Sequence, residues 1–270
     1  EQLSHFPVMV NEVVTFLEPQ SEKIYLDCTF GQGGYSKKIL DSANCNVLAI
    51  DRDLKSKEYA KDLIQKYKKR FIFCNGKFSD LYSLIKEKKI NSFDGIVLDL
   101  GISNTQLNDP KRGFSFMHDG PLDMRMDTQN KLTAEIIINE FDEKELSDIF
   151  FYYGEERNSK RIARSIAIFR KKRRINSTKV LSEIIQKVNN NKFKHPATRV
   201  FQALRIYINE ELNELEGVLN TCMKILNKKS RIIIVAFHSL EDRIVKNFFR
   251  EKNIKKINND KKVFENESLK

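Results

Sequence analysis

The sequence predicts an α/β protein with a doubly wound, mostly parallel sheet into which an all-α domain is inserted. Three observations predict this fold class. In the first hundred residues, short apolar runs alternate with amphipathic segments, as in parallel strands covered by helices on both faces. From about residue 132 to 190 the periodicity is helical throughout. A strongly apolar run returns at 231–237, so we expect the sheet to resume after the helical part.

The elements of the first hundred residues follow from where the apolar runs begin and end. Each run is short and unbroken, and the segments between the runs have helical spacing. The predicted strands are 24–29, 46–50, 71–75 and 94–99, and the predicted helices are 34–42, 54–66 and 79–88. Residues 101–131 break the pattern with glycines and prolines among polar residues, which indicates an ordered but irregular loop.

The helical part contains segments of contrasting charge. One helix begins near Thr133, an acidic helix surrounds Leu146, and a basic helix covers 160–174. A long helix is predicted after Pro196, because its apolar residues recur three or four positions apart in one continuous stripe. The stripe consists of Phe201, Leu204, Ile208, Leu212, Leu215, Leu219, Cys222 and Leu226.

The domain organisation follows from this order of elements. Strand 231–237 and helix 240–249 resume the α/β pattern after the helical part. We therefore expect one domain that is discontinuous in sequence and one that is inserted into it. The predicted boundaries are 1–106 and 206–270 for the core, and 107–205 for the helical insert.

The composition indicates which partners, metals and membrane contacts to expect. The 270 residues carry a formal net charge of +11 at pH 7, which favours a polyanionic partner, although a lysine-rich composition without such a partner is an open alternative. The four cysteines and four histidines are dispersed, so we expect reduced thiols and no bound metal. No apolar run approaches the ~20 residues of a membrane span, which predicts a soluble, cytoplasmic protein without a membrane partner.

A glycine-rich turn after the first strand is the strongest local signal of a ligand site. Gly31, Gly33 and Gly34 lead into a helix, and the next strand ends on Asp51. Such a unit presents backbone N–H groups to a ligand and places a carboxylate to accept hydrogen bonds from ribose hydroxyls. Ser36 occupies the position of the third glycine of the dinucleotide motif, so the site need not bind a pyrophosphate. A structural turn without a ligand is the alternative.

Polar residues also follow the other predicted strands. Ligands of open parallel sheets bind at the carboxyl ends of the strands, and five strands deliver polar segments there. The segments are 27–34, Asp51, 75–78, 99–106 and 238–242. Phe78 is suited either to stack on a purine or to close the edge of the core.

Two further regions have more than one interpretation. The loop residues 99–103 and 113–127 are rich in aromatic, methionine and charged side chains, which favours binding, but Asp123, Arg125 and Asp127 could instead pair among themselves. The basic segments 160–174 and 192–199 are suited to contact RNA phosphates and unpaired bases. The basic helix could also simply pair with the acidic helix before it.

The chain resembles the bacterial ribosomal RNA small subunit methyltransferase H family, also called MraW. The resemblance covers nearly the whole chain and rests on long motifs. They are HFPVMVNEV (5–13), LDCTFGQGG (26–34), AIDRD (49–53), LDLGIS (98–103), RGFSFMHDGPLDMRMD (112–127), YGEERNSKRIARSI (153–166), KHPATRVFQALRI (194–206) and FHSLEDRIVK (237–246). In that family the sequence continues past the equivalent of residue 270 into an Arg/Ser-rich segment and a final strand, so we expect part of the sheet edge and of the RNA surface beyond this sequence.

The resemblance implies a class I (Rossmann-like) S-adenosylmethionine-dependent methyltransferase core with an inserted helical domain that recognises RNA. The implied reaction is methylation of the N4 amine of a cytidine in the decoding centre of 16S rRNA, with naked rRNA or the 30S subunit as partner. A monomer and a homodimer are both open. The alternatives are a non-catalytic RNA-binding protein on the same scaffold and, less favoured, an NAD-dependent oxidoreductase.

The resemblance also implies site residues. The implied cofactor contacts are Gly33, Gly34, Tyr35, Asp51, Phe78, Asp99 and Gln106. The candidate catalytic and cytidine-binding residues are Asp99, Asp123, Arg125, His238 and Ser239. Asp99 is placed either to accept from the amine or to bind the cofactor. Tyr35 stands where the family usually has histidine, and Asn104 where it usually has serine.

Overall fold

The structure, a computed structural model, describes residues 8–189, 195–251, 255–258 and 263–265. It forms two compact units: a sheet unit, Glu1–Gly101 with Leu212–Lys270, and a helical unit, Ile102–Glu211. Residues 192–194 of the basic segment predicted to contact RNA lie outside the described residues. No helix in the described part of the chain combines the length and the apolar character needed to cross a membrane.

The sheet unit is built on one seven-stranded sheet in the order β3-β2-β1-β4-β5-β7-β6. Its strands are β1 (Ile24–Asp27), β2 (Asn46–Asp51), β3 (Phe71–Asn75), β4 (Phe93–Asp99), β5 (Leu226–Val235), β6 (Lys255–Asn258) and β7 (Val263–Glu265). The first five strands in that order are mutually parallel, whereas β7 is antiparallel to both β5 and β6. The predicted doubly wound, mostly parallel sheet is confirmed.

Helices cover both faces of this sheet, because its central strands are apolar on both sides. The helices are α1 (Val10–Leu17), α2 (Gly34–Ser42), α3 (Ser56–Tyr67), α4 (Leu81–Glu87), α11 (Glu211–Ile225) and α12 (Ser239–Glu251). One core, around Leu26, Leu48 and Ile96, contains side chains of α4, α11 and α12. The other, around Val47 and Val97, contains side chains of α1, α2 and α3. The sheet therefore has two apolar cores and a polar edge at its strand ends.

The helical unit has its own apolar core. Its helices are α5 (Asn104–Asn108), α6 (Ala134–Glu140), α7 (Glu143–Tyr152), α8 (Ser159–Arg170), α9 (Thr178–Val188) and α10 (Thr198–Ile208). Phe150, Ile166, Leu181 and Leu204 are completely buried in this core. The loop that precedes α6 contributes Leu122 and Met124 to it. The loop predicted as irregular is thus fixed by packing.

The single long helix predicted after Pro196 is wrong. The chain forms α10 and α11 instead, separated at Asn209 and Glu210, and Glu210 has a left-handed φ of 51°. The Asn209 side chain accepts from the Met126 N–H (2.7 Å) and donates to the Met124 carbonyl (2.8 Å). These contacts with a distant loop interrupt a helix that the apolar spacing would continue. Leu226, the last residue of the predicted stripe, belongs to β5.

Candidate functional site

The turn after β1 brings the backbone of the glycine-rich segment to the start of α2. Gly31 and Gly33 have left-handed φ angles of 54° and 82°, which glycine adopts without steric cost. A Cβ at Gly33 would also lie 2.7 Å from the Phe30 ring, closer than two carbon atoms can approach. The turn therefore requires glycine at this position. It leads directly into α2, which begins at Gly34.

Asp51, at the end of β2, lies against this turn. Its Oδ2 accepts the N–H of Gly31 (2.6 Å), and its Oδ1 accepts the N–H of Asp53 (2.8 Å). Burial raises the pKa of the Asp51 carboxyl above its ordinary value. The Ser56 hydroxyl also hydrogen-bonds this carboxylate. Of the roughly four lone pairs of a carboxylate, one remains for a ligand hydroxyl.

Asp27, at the end of β1, is completely buried. Its Oδ1 accepts the Thr29 N–H (3.1 Å), and its Oδ2 accepts the Ser36 hydroxyl (2.7 Å). Burial raises the pKa of Asp27 to about 6 despite these hydrogen bonds. Thr29 in turn accepts the N–H of Asp99 on its Oγ1 (2.7 Å). These bonds connect the ends of β1 and β4.

Asp99, at the end of β4, has a carboxyl oxygen that accepts no hydrogen bond from the described residues. Its Oδ1 is buried and has no hydrogen-bond partner among the described residues. Burial, and next the negative charge of Asp27, raise the pKa of Asp99 to about 7, while a hydrogen bond with Tyr35 opposes that rise. The single proton of the Tyr35 hydroxyl is shared with the Val8 carbonyl, to which this hydroxyl donates. Asp99 can therefore accept a hydrogen bond from a ligand that enters this edge of the sheet.

The segment after β5 adds a buried carboxylate. Glu241 is 2% exposed, and its Oε2 accepts the N–H of Phe237 (2.9 Å). The His238 Nε2 lies 3.2 Å from Glu241 Oε1 but without hydrogen-bond geometry. Ser239 begins α12 and is exposed. The negative charge of Glu241 contributes to the raised pKa of Asp99.

The structure brings several of the predicted cofactor residues to one edge of the sheet unit. Gly33, Gly34, Tyr35, Asp51 and Asp99 surround the ends of β1, β2 and β4. Their contacts with a cofactor stay predictions.

Phe78, the remaining cofactor residue of this unit, follows β3 in a short 3₁₀ helix, Phe78–Asp80. It packs partly buried against the core of β1 and β4. Its position is therefore compatible with both interpretations given above, stacking on a purine and closing the core.

The other three predicted residues belong to the helical unit. Gln106 is buried in α5, where its side chain accepts from the N–H of Ser103 (3.1 Å). Asp123 and Arg125 form a bidentate ion pair, with Nε–Oδ1 and Nη2–Oδ2 distances of 2.7 and 2.8 Å. Arg125 Nη1 also donates to the carbonyls of Thr128 and Asn130. The pairing between Asp123 and Arg125, the alternative considered for this loop, is therefore present.

Asp27 and Glu241 are missing from the predicted site residues, although both shape the charge around Asp99. Each lies within a polar segment that follows a predicted strand, so position alone could have suggested them. Their burial could not be inferred, because an aspartate or glutamate at a strand end is usually solvated.

Comparison with known proteins identifies close relatives. The model of the MraW methylase family matches residues 2–269. The Ribosomal RNA small subunit methyltransferase H of Rickettsia canadensis is 54% identical over 260 residues, 95% of this chain and 82% of the relative. The protein of the same name from Rickettsia massiliae is 52% identical over 94% of this chain and 82% of its own length. A putative methyltransferase from Streptococcus mutans, solved in complex with SAH, covers 96% of each chain with 9% identity and a TM-score of 0.44.

Proposed function

This chain belongs to the MraW methylase family, and we propose that it methylates the N4 amine of a cytidine in the decoding centre of 16S rRNA, using S-adenosylmethionine. One observation carries the proposal. Asp27, Asp51 and Asp99 converge beside the glycine-rich turn, and none pairs with a lysine or arginine in the described part of the sheet unit. Burial without a cationic partner raises the pKa of a carboxyl group and lowers the free energy of unfolding. Carboxyl groups with raised pKa values are typical of functional sites.

The residues present fit the proposed cofactor. S-adenosylmethionine supplies an electrophilic methyl group on a sulfonium. Asp51 would accept a ribose hydroxyl with the acceptor position that Gly31, Asp53 and Ser56 leave free. The start of α2, at Gly34 and Tyr35, would present backbone N–H groups to the ligand. The buried Oδ1 of Asp99 provides the acceptor that a buried donor needs. Gly33, Phe78 and Gln106 complete the proposed set.

Asp99 would also act on the substrate amine. The lone pair of cytosine N4 is delocalised into the ring, so the main task of the protein is to align the amine with the methyl group. A carboxylate that accepts a hydrogen bond from the amine favours a more tetrahedral nitrogen, stabilises the positive charge that develops on it, and could take up the proton that the nitrogen loses once it is methylated. Asp123, Arg125, His238 and Ser239 are proposed to bind the cytidine. The base must be unpaired or turned out of a helix to reach them.

The names of the relatives and the net charge of this chain support RNA as the proposed partner. The relatives are named for the small subunit ribosomal RNA, and the net charge of +11 suits a polyanion. The helical unit is the proposed substrate-recognition domain. A cytoplasmic location follows from such a substrate.

Transfer of an isotopically labelled methyl group tests the proposal. We expect the full chain to label N4-methylcytidine in 16S rRNA or in 30S subunits, identified by nucleoside analysis of the product. Asp99→Asn should lower the rate by about 100-fold, whereas Asp62→Asn, an exposed aspartate of α3, should not change it. RNA binding without transfer to either substrate would favour the non-catalytic alternative, and binding of NAD in place of S-adenosylmethionine would favour the oxidoreductase.

A further inference from the structure

Four aromatic residues stand in a row at the end of α7, and two of them face away from the core. Successive side chains of a helix are turned by about 100°, so four in a row cannot share one face. Phe150 is buried and Tyr153 is half-buried, whereas Phe151 and Tyr152 are 52% and 64% exposed. The rings of Phe151 and Tyr152 touch edge to face with centroids 5.2 Å apart. These two residues, the aromatic pair, present a stacking surface to solvent.

The turn after α7 brings the start of α8 beside this pair. The Glu156 N–H donates to the Phe150 carbonyl (3.1 Å), which folds the chain back at the last turn of α7. Ser147 and Ser159 hold the two helices together, with their Oγ atoms 3.2 Å apart. The first residues of α8 therefore lie close to the last turns of α7.

This start of α8 is strongly basic. Exposed cations recur at helical spacing at the start of α8 and in the turn before it, and we call them the cationic stripe. The stripe consists of Arg157, Lys160, Arg161 and Arg164. None of the four has an ion pair among the described residues. Pairing with the acidic helix α7, the alternative considered from the sequence, is thus not found for the stripe. Arg174 is paired, but with Glu135 and Glu140 of α6 (2.7 and 3.4 Å).

We propose that the aromatic pair and the cationic stripe bind an unpaired stretch of the substrate RNA, an inference that rests on the proposed function. Exposed rings stack on bases of any sequence, and cations beside them follow the phosphates. A duplex would hide the faces of its bases and leave the rings without a partner. An acidic protein would match the cations but gain little from the aromatic surface. The combination therefore favours single-stranded RNA.

Removing the rings tests the stacking. The probe is a fluorescein-labelled oligocytidylate about 12 nucleotides long, and its abasic equivalent serves as the second probe. For the full chain, Phe151→Ala with Tyr152→Ala should lower affinity for the oligocytidylate about tenfold and leave affinity for the abasic strand unchanged. Tyr82→Ala, which removes an aromatic ring that is 59% exposed on α4, is the matched control. Equal affinity of the double variant and this control for the oligocytidylate would overturn the proposal.

Removing charge tests the phosphate contacts. Lys160→Gln with Arg164→Gln should reduce the slope of log affinity against log salt by about 1.4, since each phosphate contact on a single strand contributes ~0.7. Lys57→Gln with Lys61→Gln removes two exposed cations at the same spacing from α3 and should leave the slope nearly unchanged. Equal reductions in the two variants would mean that only net charge matters, which contradicts a local site.

Methyl transfer to rRNA and the oligomeric state in solution separate failure of the proposed RNA site from failure of the proposed function. If the wild type methylates rRNA but the aromatic variant keeps both its KM for rRNA and its affinity for the oligocytidylate, the proposed site fails and the proposed function stands. If the wild type binds RNA through the rings but never transfers a methyl group, the proposed site stands and the proposed function fails. A dimer that the aromatic variant dissociates, without a change in RNA affinity, would assign the pair to self-association instead.

Discussion

The strand-end aspartates of the sheet unit and Asp123 of the helical unit differ in how their charge is compensated. In the helical unit, Asp123 is held by the guanidinium of Arg125 through two short hydrogen bonds. In the sheet unit, Asp27, Asp51 and Asp99 are held by backbone N–H groups and hydroxyls, and their pKa values are raised. A paired carboxylate stabilises its own loop, whereas an unpaired buried one costs stability and can accept a ligand. The pair fixes the position of Asp123, whereas the strand-end aspartates keep a greater capacity to accept a ligand.

The largest effect is expected at Asp51. Asp51→Ala should weaken S-adenosylmethionine binding by up to about 100-fold, because a charge-assisted hydrogen bond to ribose is lost. Isothermal titration calorimetry measures this, with Asp62→Ala as control. Unchanged affinity would contradict a contact between Asp51 and the ribose.

Asp27, which is buried without a cationic partner among the described residues, should lower the free energy of unfolding at neutral pH. Since its pKa is about 6 in the folded protein and 3.8 in the reference state, the folded state binds this proton more tightly. Its contribution to the free energy of unfolding therefore falls as the pH rises from about 4 to about 6, by on the order of 3 kcal/mol.

Asp27→Asn removes this pH dependence. Allowing for weaker hydrogen bonds from Thr29 and Ser36, we expect it to be more stable than the wild type at neutral pH by about 2 kcal/mol. Urea unfolding across this pH range measures the difference. A variant that is less stable at neutral pH would contradict the prediction.

Asp99 should give a pH dependence to catalysis. Its pKa is about 7, so the carboxylate form increases as the pH rises. We expect kcat/KM for the cofactor to increase about tenfold between about pH 6 and about pH 8, because this parameter reports the ionisation of the free enzyme. Asp99→Asn should be slow and have a flat profile over that range. A wild-type profile without an inflection near pH 7 would show that the carboxyl is not required in its ionised form.

The smallest effect is expected for the paired acid. Asp123→Asn should lower the free energy of unfolding by about 1 kcal/mol, since the pair with Arg125 is partly solvated. Thermal unfolding measures the loss, and Asp62→Asn is the control. A raised KM for rRNA would support the proposed contact of Asp123 with the cytidine, and an unchanged KM would contradict it.

The sequence predicts the sheet better than the helical junction, for a physical reason. Strands β1 to β4 lie within about two residues of their predicted ends because each is an unbroken apolar run bounded by polar residues. The break at Glu210 depends on hydrogen bonds from Asn209 to Met124 and Met126, and tertiary contacts of that kind leave no trace in local periodicity. Helices α1, α5 and α9 are absent from the predicted elements. Helix α9 falls within the part predicted to be helical, whereas α5 lies in the segment 101–131 that the sequence predicts as a loop.

The sequence predicts where the candidate site lies, but not the burial, ion pairing or pKa of its carboxyl groups. The alignment of polar residues with strand ends suggested Asp51 and Asp99 at one edge of the sheet. Whether a carboxylate there is paired, solvated or buried depends on the side chains around it. For this reason the sequence left the roles of Asp123 and Arg125 open and did not identify Glu241.

The separation of β4 from β5 by the helical unit has a consequence during synthesis. β5 pairs with β4 through Arg231 to Val235, yet it leaves the ribosome only after residues 102–211 have emerged, a delay of roughly 10 s at about 10 residues per second. Over that interval we expect the helical unit to fold while β4 still has an open edge. An open edge invites intermolecular pairing, so the nascent chain should depend on chaperones more than the finished protein does.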